Sequence, residues 1–215
     1  MPKKPTIQQP RLPDYLPEVS FHIADEPFFS NCLIKDCLIT GEEIQRLRLE
    51  QVKFQNVQFE EVSFQDIELT DVVFEQCDLS NADFSGGIIH RVAFRHSKML
   101  GIDLSEATLG NVLFTSCLAN MSSFGFSRMK QVQFSSTSLE NSDFYECKFK
   151  NVQFTDCDLN ETNFANTPLA GVDLSDSRFE QLQASADDLE GCIVSSEQAI
   201  GFARLLGLRI KEWEE

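Results

Sequence analysis

The stretch NVQFTDCDLNETNF, residues 151–164, decides the fold of this chain, because it repeats one pattern at a spacing of five residues. Val152 and Cys157 are small, and a large apolar residue, Phe154 or Leu159, follows each of them two positions later. A period of five belongs neither to an α-helix, which repeats every 3.6 residues, nor to a β-strand, which repeats every two. The pattern therefore indicates a structure built from five-residue units.

The five-residue phase extends over most of the chain, from Phe29 to Val194. Only Ala119 and Ala184 interrupt the series of large apolar residues, and the position two places earlier is usually Val, Cys, Ala, Ser or Thr. Chance clustering in a chain with 19 phenylalanines among 215 residues does not keep one phase over this range. The repeat is therefore the organising feature of the fold.

The sequence also repeats with a longer period of twenty residues. The pair Val-x-Phe recurs at every twentieth position from Val52 and Phe54 to Val152 and Phe154. Residues twenty apart therefore share one environment, which predicts an all-β solenoid with four five-residue sides in each coil. Since stacked extended segments lie about 4.8 Å apart, roughly eight coils form a rod of about 40 Å. Each side buries one large and one small residue and turns the other three outward.

Three segments, CDLSNADFSG (77–86), NSDFYECKFKN (141–151) and CDLNETNFAN (157–166), carry a family resemblance. They resemble the A(D/N)LXX units of pentapeptide-repeat proteins, and the resemblance covers about residues 29–194. It implies a right-handed quadrilateral β-helix. We expect an interruption near TGEEIQRLR (40–48), because Glu42 falls at a small inward position, where an unpaired carboxylate is costly to bury.

Composition excludes several classes of protein. The formal net charge of −16 argues against direct binding to nucleic acid or to an anionic membrane, because both attract positive charge. No segment approaches the roughly 18 apolar residues of a membrane span, and the first twenty residues lack a signal-peptide apolar run. We therefore expect a cytoplasmic protein whose partner is basic.

The chain does not present the residues of an enzyme. All seven cysteines fall on the small inward series, where free cysteine packs as a small apolar residue. Cys37 and Cys77 are two coils apart, about 9.6 Å, which exceeds the roughly 7 Å limit for a disulfide. Two of the three histidines, His90 and His96, lie in an outward run, and no glycine-rich phosphate loop is present. We expect no catalytic residues, no metal and no cofactor.

Acidic residues concentrate on two adjacent sides of the predicted coil. One side, which we call the acidic side, carries no Lys or Arg in its six units from residues 62–66 to 162–166, and its carboxylates there are Asp66, Asp83, Asp103, Glu106, Asp143 and Glu146. The side before it, the flanking side, adds Glu60, Glu61, Asp78, Glu140, Asp158 and Glu161, against Lys98 and Arg178. The side after it, the basic side, collects Arg91, Arg128, Lys130, Lys148 and Lys150. Solvation and the preference of Asp and Asn for tight turns explain acidic content, but not this segregation of sign.

Some outward positions in the central coils are apolar. Leu113, Leu118 and Phe126 are the candidate contact residues, although scattered apolar residues are also normal on protein surfaces. Phe126 is a large ring at a solvent-facing position in SSFGFSR (122–128), and it is either a contact residue or one such scattered residue.

The two ends of the chain depart from the repeat. Residues 1–18 form a Pro-rich arm, either mobile or draped on the surface, residues 19–194 the solenoid, and residues 195–215 a helical cap. Ser195 and Gln198 form a capping box, and Gly207 suits the end of a helix. The cap carries more apolar residues than one face can bury, which indicates a two-fold dimer contact through Ile200, Phe202, Ala203, Leu206, Leu208, Ile210 and Trp213. The alternative is a monomeric cap with a wide apolar face.

The resemblance also implies a function. The acidic rod, the Phe-rich core and the C-terminal tail are similar to those of the Qnr-type and mycobacterial topoisomerase-protecting members of the family. These are understood as dimeric mimics of duplex DNA that bind DNA gyrase and topoisomerase IV and reduce quinolone poisoning. The unbroken phase from Val52 to Leu174 leaves no room for projecting loops, so the chain resembles the loop-free chromosomal members. Two alternatives stay open: a generic interaction scaffold that uses the apolar patch, and producer-strain immunity against a gyrase-targeting toxin.

Overall fold

The chain winds into a four-sided β-solenoid of about eight coils, in a computed structural model that describes residues 6–22, 27–205 and 209. This confirms the architecture predicted from the repeat. The strands and the helix within the described residues are β1 (Phe28–Lys35), β2 (Leu38–Thr40), β3 (Arg48–Gln55), β4 (Gln58–Glu60), β5 (Glu68–Glu75), β6 (Ile88–Arg95), β7 (Thr108–Thr115), β8 (Arg128–Ser135), β9 (Lys148–Thr155), β10 (Thr162–Asn163), β11 (Leu182–Gln183) and α1 (Ser196–Leu205).

Successive coils pair in parallel with a shift of twenty residues. The main sheet has the order β1-β3-β5-β6-β7-β8-β9, and Phe54 pairs with Phe74, which stacks beneath Phe94. The interruption expected near Glu42 is wrong, because the same register runs through this segment. Glu42 lies in the first coil and is only half-buried, so its inward position does not require a bulge.

A left-handed backbone conformation makes the corners of the coil. The residue two positions after each large inward residue has a positive φ at most corners, for example 55° at Gln51, 58° at Asp71 and 57° at Asn111. Asn and Asp tolerate this region best, because their short polar side chains form local hydrogen bonds. Each eight-residue strand therefore bends at its fourth residue and continues onto the next side of the coil.

Stacked rings fill the interior. Phe54, Phe74, Phe94, Phe114, Phe134 and Phe154 form one column with centroids 4.6–5.1 Å apart and planes within 6° of parallel. Because these rings are buried, the column favours Phe over Tyr or Trp, whose polar groups need a hydrogen-bond partner when buried. Serine and threonine at small inward positions bond to the backbone instead, as when Thr167 Oγ1 donates to the Phe144 carbonyl at 2.6 Å.

The cysteines pack in this interior as free thiols. Burial raises the pKa of Cys77, Cys117 and Cys147 to about 11. These thiols therefore stay protonated and act as small apolar residues at neutral pH.

Helix α1 covers the C-terminal end of the solenoid. The predicted capping box is present, since Ser195 N–H donates to Gln198 Oε1 at 2.8 Å and Gln198 N–H donates to Ser195 Oγ at 3.2 Å. The Gln198 amide also donates to the carbonyls of Leu174 (2.9 Å) and Ser177 (2.7 Å) near the C-terminal end of the solenoid. It thereby gives the Ser177 carbonyl a donor and adds a second donor to the Leu174 carbonyl, which also accepts from the Ser177 N–H at 3.0 Å. Across the described residues, no helix has the length and apolar character that a membrane crossing requires.

Candidate protein-binding surface

The structure places the twelve predicted carboxylates on two adjacent outer sides of the rod. All of them are half-buried or exposed, so each is accessible to solvent. The chain passes in order along the side centred on the Phe54 column, which we call the arm side, then the flanking side, the acidic side and the basic side. In a four-sided coil, the acidic side therefore faces away from the arm side.

A ladder of short polar side chains runs down the acidic side. Backbone bridges align Asp83 with Asp103, Asp103 with Ser123, and Ser123 with Asp143. One oxygen of each aspartate accepts a hydrogen bond from the N–H two residues on: Ser85 (3.0 Å), Ser105 (2.8 Å) and Tyr145 (3.0 Å). These aspartates therefore hold the turn of each unit as well as presenting charge. The repeat itself signalled this role, because Asp or Asn precedes the large residue in many units.

The corners of the acidic side hold longer or more exposed carboxylates. Glu106 and Glu146 are exposed at positive-φ corners, with φ of 59° and 51°. Asp66 occupies the same corner one coil before Gly86, and its Oδ2 accepts a hydrogen bond from Gln45 at 3.1 Å. A side chain at Gly86 would approach Asp66 Oδ1 to 2.6 Å, so the glycine leaves room for that carboxylate.

Of the two carboxylate-bearing sides, the flanking side alone contains ion pairs among the described residues. Lys98 Nζ lies 3.5 Å from Asp78 Oδ2, and Arg178 Nη2 lies 2.9 Å from Asp158 Oδ2. Within the part of the chain that the structure describes, the six carboxylates of the acidic side form no ion pair. Burial raises the pKa of Asp83, but hydrogen bonds from Ser85, Gln65 and Ser63 outweigh it and leave the pKa below its ordinary value. The acidic side therefore presents uncompensated negative charge at neutral pH.

One coil interrupts the acidic surface with apolar residues. Leu118, Met121 and Phe126 are 50%, 64% and 54% exposed, and they lie on the flanking and acidic sides, between the carboxylates of the coils before and after. We call these three residues the apolar belt. The Phe126 ring contacts Tyr145 edge-on at 5.5 Å, and Phe126 has a φ of 61°, a conformation that is strained for a bulky residue. The acidic and apolar features therefore form one continuous surface, which sequence reasoning had treated as two alternatives.

Leu113 is not part of this surface, and its prediction as an exposed contact residue is wrong. It points outward from its coil but is only 8% exposed, since it packs with Val73 and Ala93 beneath Ile7 and Leu12 of the N-terminal arm. Sequence periodicity gives the direction of a side chain but not what covers it.

The predicted dimer residues are only partly described. Ile200 is 45% exposed on α1, while Phe202 and Ala203 are half-buried, and the Phe202 ring lies 5.5 Å from Phe179. The remaining residues of that prediction lie outside the described residues: Leu206, Leu208, Ile210 and Trp213. In residues 6–22, 27–205 and 209, no cluster of His, Cys, Asp or Glu could hold a metal ion.

Comparison with known proteins finds several that are similar to this chain. An uncharacterised protein of Bacillus subtilis (strain 168), YisX, is 47% identical over 99 residues, which are 45% of this chain. The chain spans about half the length of that curated relative, since the match covers 47% of it. Among solved structures, trypsin-treated QnrB1, a plasmid-mediated fluoroquinolone resistance protein, matches with 18% identity and a TM-score of 0.41, over 84% of this chain and 99% of that one. HetL of the cyanobacterium Nostoc sp. strain PCC 7120, a protein involved in heterocyst differentiation regulation, matches with 14% identity and a TM-score of 0.31, over 79% and 90% of the two chains.

A model of the pentapeptide repeat region matches residues 67–144 and 127–197. These ranges together cover more than half of the chain and coincide with the coils described above. The five-residue units, the four-sided solenoid and this match agree, and the chain belongs to the pentapeptide-repeat family.

Proposed function

We propose that this protein mimics duplex DNA and binds the basic DNA-binding groove of a type II DNA topoisomerase, DNA gyrase or topoisomerase IV. By doing so it modulates the enzyme or protects it from quinolones. The observation that carries the proposal is the row of twelve carboxylates on the acidic and flanking sides, of which only Asp78 and Asp158 form ion pairs among the described residues. The resemblance of the sequence to the topoisomerase-protecting members of the family selects this partner among basic proteins.

The spacing of the charges supports the comparison with DNA. From Glu60 to Glu161 the chain climbs about five coils, or roughly 24 Å. Two of the twelve carboxylates in that span are paired with cations, which leaves ten. This amounts to about one negative charge per 2.4 Å of axis, against one per about 1.7 Å in duplex DNA. A groove that binds phosphates would therefore meet a similar, somewhat weaker, line of charge.

The position of the charges also supports an open binding surface. The basic side and the arm side carry most of the cations of the solenoid, so the acidic side from residue 62 onward faces a partner with little screening from its own chain. Charge complementarity of this kind mainly raises the association rate and weakens as salt screens it. We further propose that residues 195–215 join two copies at their C-terminal ends, which would double the length of the acidic surface.

A supercoiling assay with DNA gyrase tests the proposal. Purified protein is titrated into the reaction with and without ciprofloxacin, at two salt concentrations. We expect inhibition of supercoiling, or rescue from the drug, that weakens as salt rises. No effect at micromolar protein, or an effect independent of salt, would contradict the proposal.

Two matched variants test whether binding depends on where the carboxylates lie or only on the net charge of the protein. The triple substitution Asp83→Asn, Asp103→Asn and Asp143→Asn removes three charges from the acidic side while keeping an acceptor at each turn. The control, Asp36→Asn, Glu50→Gln and Asp156→Asn, removes three charges from other sides of the rod. We expect the first variant to lose at least tenfold in apparent affinity for gyrase, and the control to stay within about threefold of the wild type, because long-range charge is screened beyond about 8 Å. Equal losses would show that net charge alone matters.

The apolar belt supports a second candidate, a protein-interaction scaffold that does not depend on charge. Three exposed apolar side chains in one coil, one of them in a strained backbone conformation, favour a contact role. If this candidate is correct, Phe126→Ser abolishes partner binding while the triple Asp→Asn variant retains it. The opposite pattern supports the DNA mimic.

A further inference from the structure

The N-terminal arm lies across the strands on the arm side of the rod. Thr6 contacts β8, Gln8 contacts β7, Arg11 contacts β5 and β3, and Val19 pairs with Leu33 of β1. Between Gln8 and Arg11 the arm crosses two strand spacings, about 9.6 Å in three residues, which is close to the roughly 3.1 Å rise per residue of polyproline II. The arm therefore runs extended along the axis of the solenoid.

Corner side chains of the solenoid bind the main chain of the arm. Asn111 Oδ1 accepts from the Gln8 N–H at 3.0 Å, and Asp71 Oδ1 accepts from the Arg11 N–H at 2.9 Å. Gln51 donates to the Arg11 carbonyl at 3.0 Å. A fourth corner residue continues the series, since the Gln131 amide donates to the carbonyl of Thr6 at 3.1 Å. These contacts do not depend on the side chains of the arm.

An apolar strip beside those corners binds two arm side chains. Val73, Ala93 and Leu113 stack in three successive coils and are 4%, 0% and 8% exposed. Ile7 and Leu12 pack against them. The apolar strip therefore selects an extended segment with two aliphatic residues five positions apart.

A buried ion pair holds the central acceptor of this site. Asp71 is 5% exposed, and both its oxygens accept hydrogen bonds from Arg91, Oδ1 from Nε at 2.7 Å and Oδ2 from Nη2 at 2.6 Å. Burial raises the pKa of Asp71, but the bonds from Arg91 and from the Arg11 N–H outweigh it and leave the pKa below its ordinary value. The carboxylate is thus fixed in place and ionised, ready to accept an N–H from an extended chain.

The arm is attached lightly. Most of its residues are exposed, Tyr15 at 80%, and the bridge between Glu18 and Leu33 is its one strand-like pairing with the coils among the described residues. The strands beneath it pair with one another, and this ladder does not include the arm. Releasing the arm would therefore uncover a formed site and leave the solenoid intact.

We propose that the strip of Val73, Ala93 and Leu113, with its corner residues Asp71 and Asn111, is a peptide-binding site that the arm occupies in cis. Its ligand is an extended, proline-containing segment with two aliphatic residues five apart and a basic residue before the second, as in Ile7-Gln-Gln-Pro-Arg-Leu12. Proline suits this site because it has no N–H, so it brings no donor that the strip would leave unpaired. The site faces away from the acidic side, so it can be tested independently of topoisomerase binding.

The test uses the full-length chain with the arm released by Ile7→Asp and Leu12→Asp. Both positions lie on the arm, outside the coils, so the solenoid is expected to fold as in the wild type. A fluorescent peptide with the sequence of residues 6–16, TIQQPRLPDYL, is titrated with the release variant and with the wild type, and anisotropy is measured. We expect saturable binding to the release variant and at least tenfold weaker binding to the wild type, whose tethered arm competes at a high effective concentration.

Three controls decide the result. A peptide carrying the same two Asp substitutions is expected to bind at least tenfold more weakly. Adding Leu113→Asp, or the milder Asn111→Ala, to the release variant is expected to weaken binding by at least fivefold, whereas Leu118→Asp on the flanking side leaves it unchanged. Absence of binding, equal binding of the two peptides, or binding that Leu113→Asp and Asn111→Ala both leave unchanged would overturn the proposal.

Discussion

Replacing Asp103 separates the structural and the electrostatic roles of the acidic ladder. Its Oδ1 accepts one hydrogen bond, from the Ser105 N–H at 2.8 Å, and the bridge register places Asp83 one coil away. Asp103→Asn keeps an acceptor and removes the charge, while Asp103→Ala removes both. The chain contains its own precedent, because Asn163 occupies the equivalent position and accepts from the Ala165 N–H at 3.0 Å.

The expected magnitudes follow from this geometry. Two carboxylates about 4.8 Å apart repel by about 0.9 kcal/mol in water, and physiological salt screens roughly half of this. A hydrogen bond contributes about 1 kcal/mol, and somewhat more when the acceptor is charged. For Asp103→Asn the relieved repulsion offsets the weaker bond, so we expect the free energy of unfolding to change by less than about 0.5 kcal/mol. For Asp103→Ala we expect a loss of about 1 kcal/mol.

Urea unfolding followed by far-UV circular dichroism measures both variants. A constant slope of the free energy against urea would show that the same surface is exposed on unfolding, which makes the midpoints comparable. If Asp103→Ala is as stable as the wild type, the turn hydrogen bond has no structural role. If Asp103→Asn is as unstable as Asp103→Ala, the charge itself stabilises the turn, and the triple Asn variant would no longer be a clean test of binding.

Three further predictions concern the core, the cap and the arm side. Phe134→Ala leaves a cavity between rings 4.6 Å and 5.1 Å away, so we expect a loss of about 3–5 kcal/mol in urea unfolding, and much less for Phe134→Leu. Gln198→Ala removes part of the capping box and leaves the Ser177 carbonyl without its donor, while the Leu174 carbonyl keeps the Ser177 N–H at 3.0 Å. We expect a lower melting temperature from a loss of about 1–3 kcal/mol, and an unchanged melting temperature would contradict the capping role. Because folding lowers the pKa of Asp71, its contribution to stability is present above about pH 4 and is lost as the pH falls further, so Asp71→Asn should flatten the acid limb of the stability profile. A thiol titration with Ellman's reagent at pH 8 gives a fourth check. Because the pKa values of Cys77, Cys117 and Cys147 are raised, we expect these thiols to react slowly in the folded protein.

The candidate surface could be predicted in part. The positions of the twelve carboxylates on two adjacent sides followed from counting modulo twenty, because the phase assigns every residue to a side. Which of them are neutralised could not be counted in this way, since the pairs Asp78–Lys98 and Asp158–Arg178 depend on long side chains reaching between coils. The turn bonds of the aspartates and the exposure of the apolar belt also required the tertiary structure.

The sequence by itself determined the solenoid, because a fixed repeat leaves one way to bury every fifth residue and stack equal residues at equal heights. It also determined the capping box of Ser195 and Gln198, whose contacts are local. Only the tertiary structure decided where the arm lies, that Leu113 is covered, and that the segment around Glu42 needs no bulge. The arm joins residues as far apart as Gln8 and Asn111, and such long-range contacts carry no periodic signal because one aperiodic segment makes them once. A repeated environment is therefore readable from the sequence, because the same residue pattern recurs in every coil. The position of the arm is not, because the arm binds once, to a surface that exists only after the coils have formed.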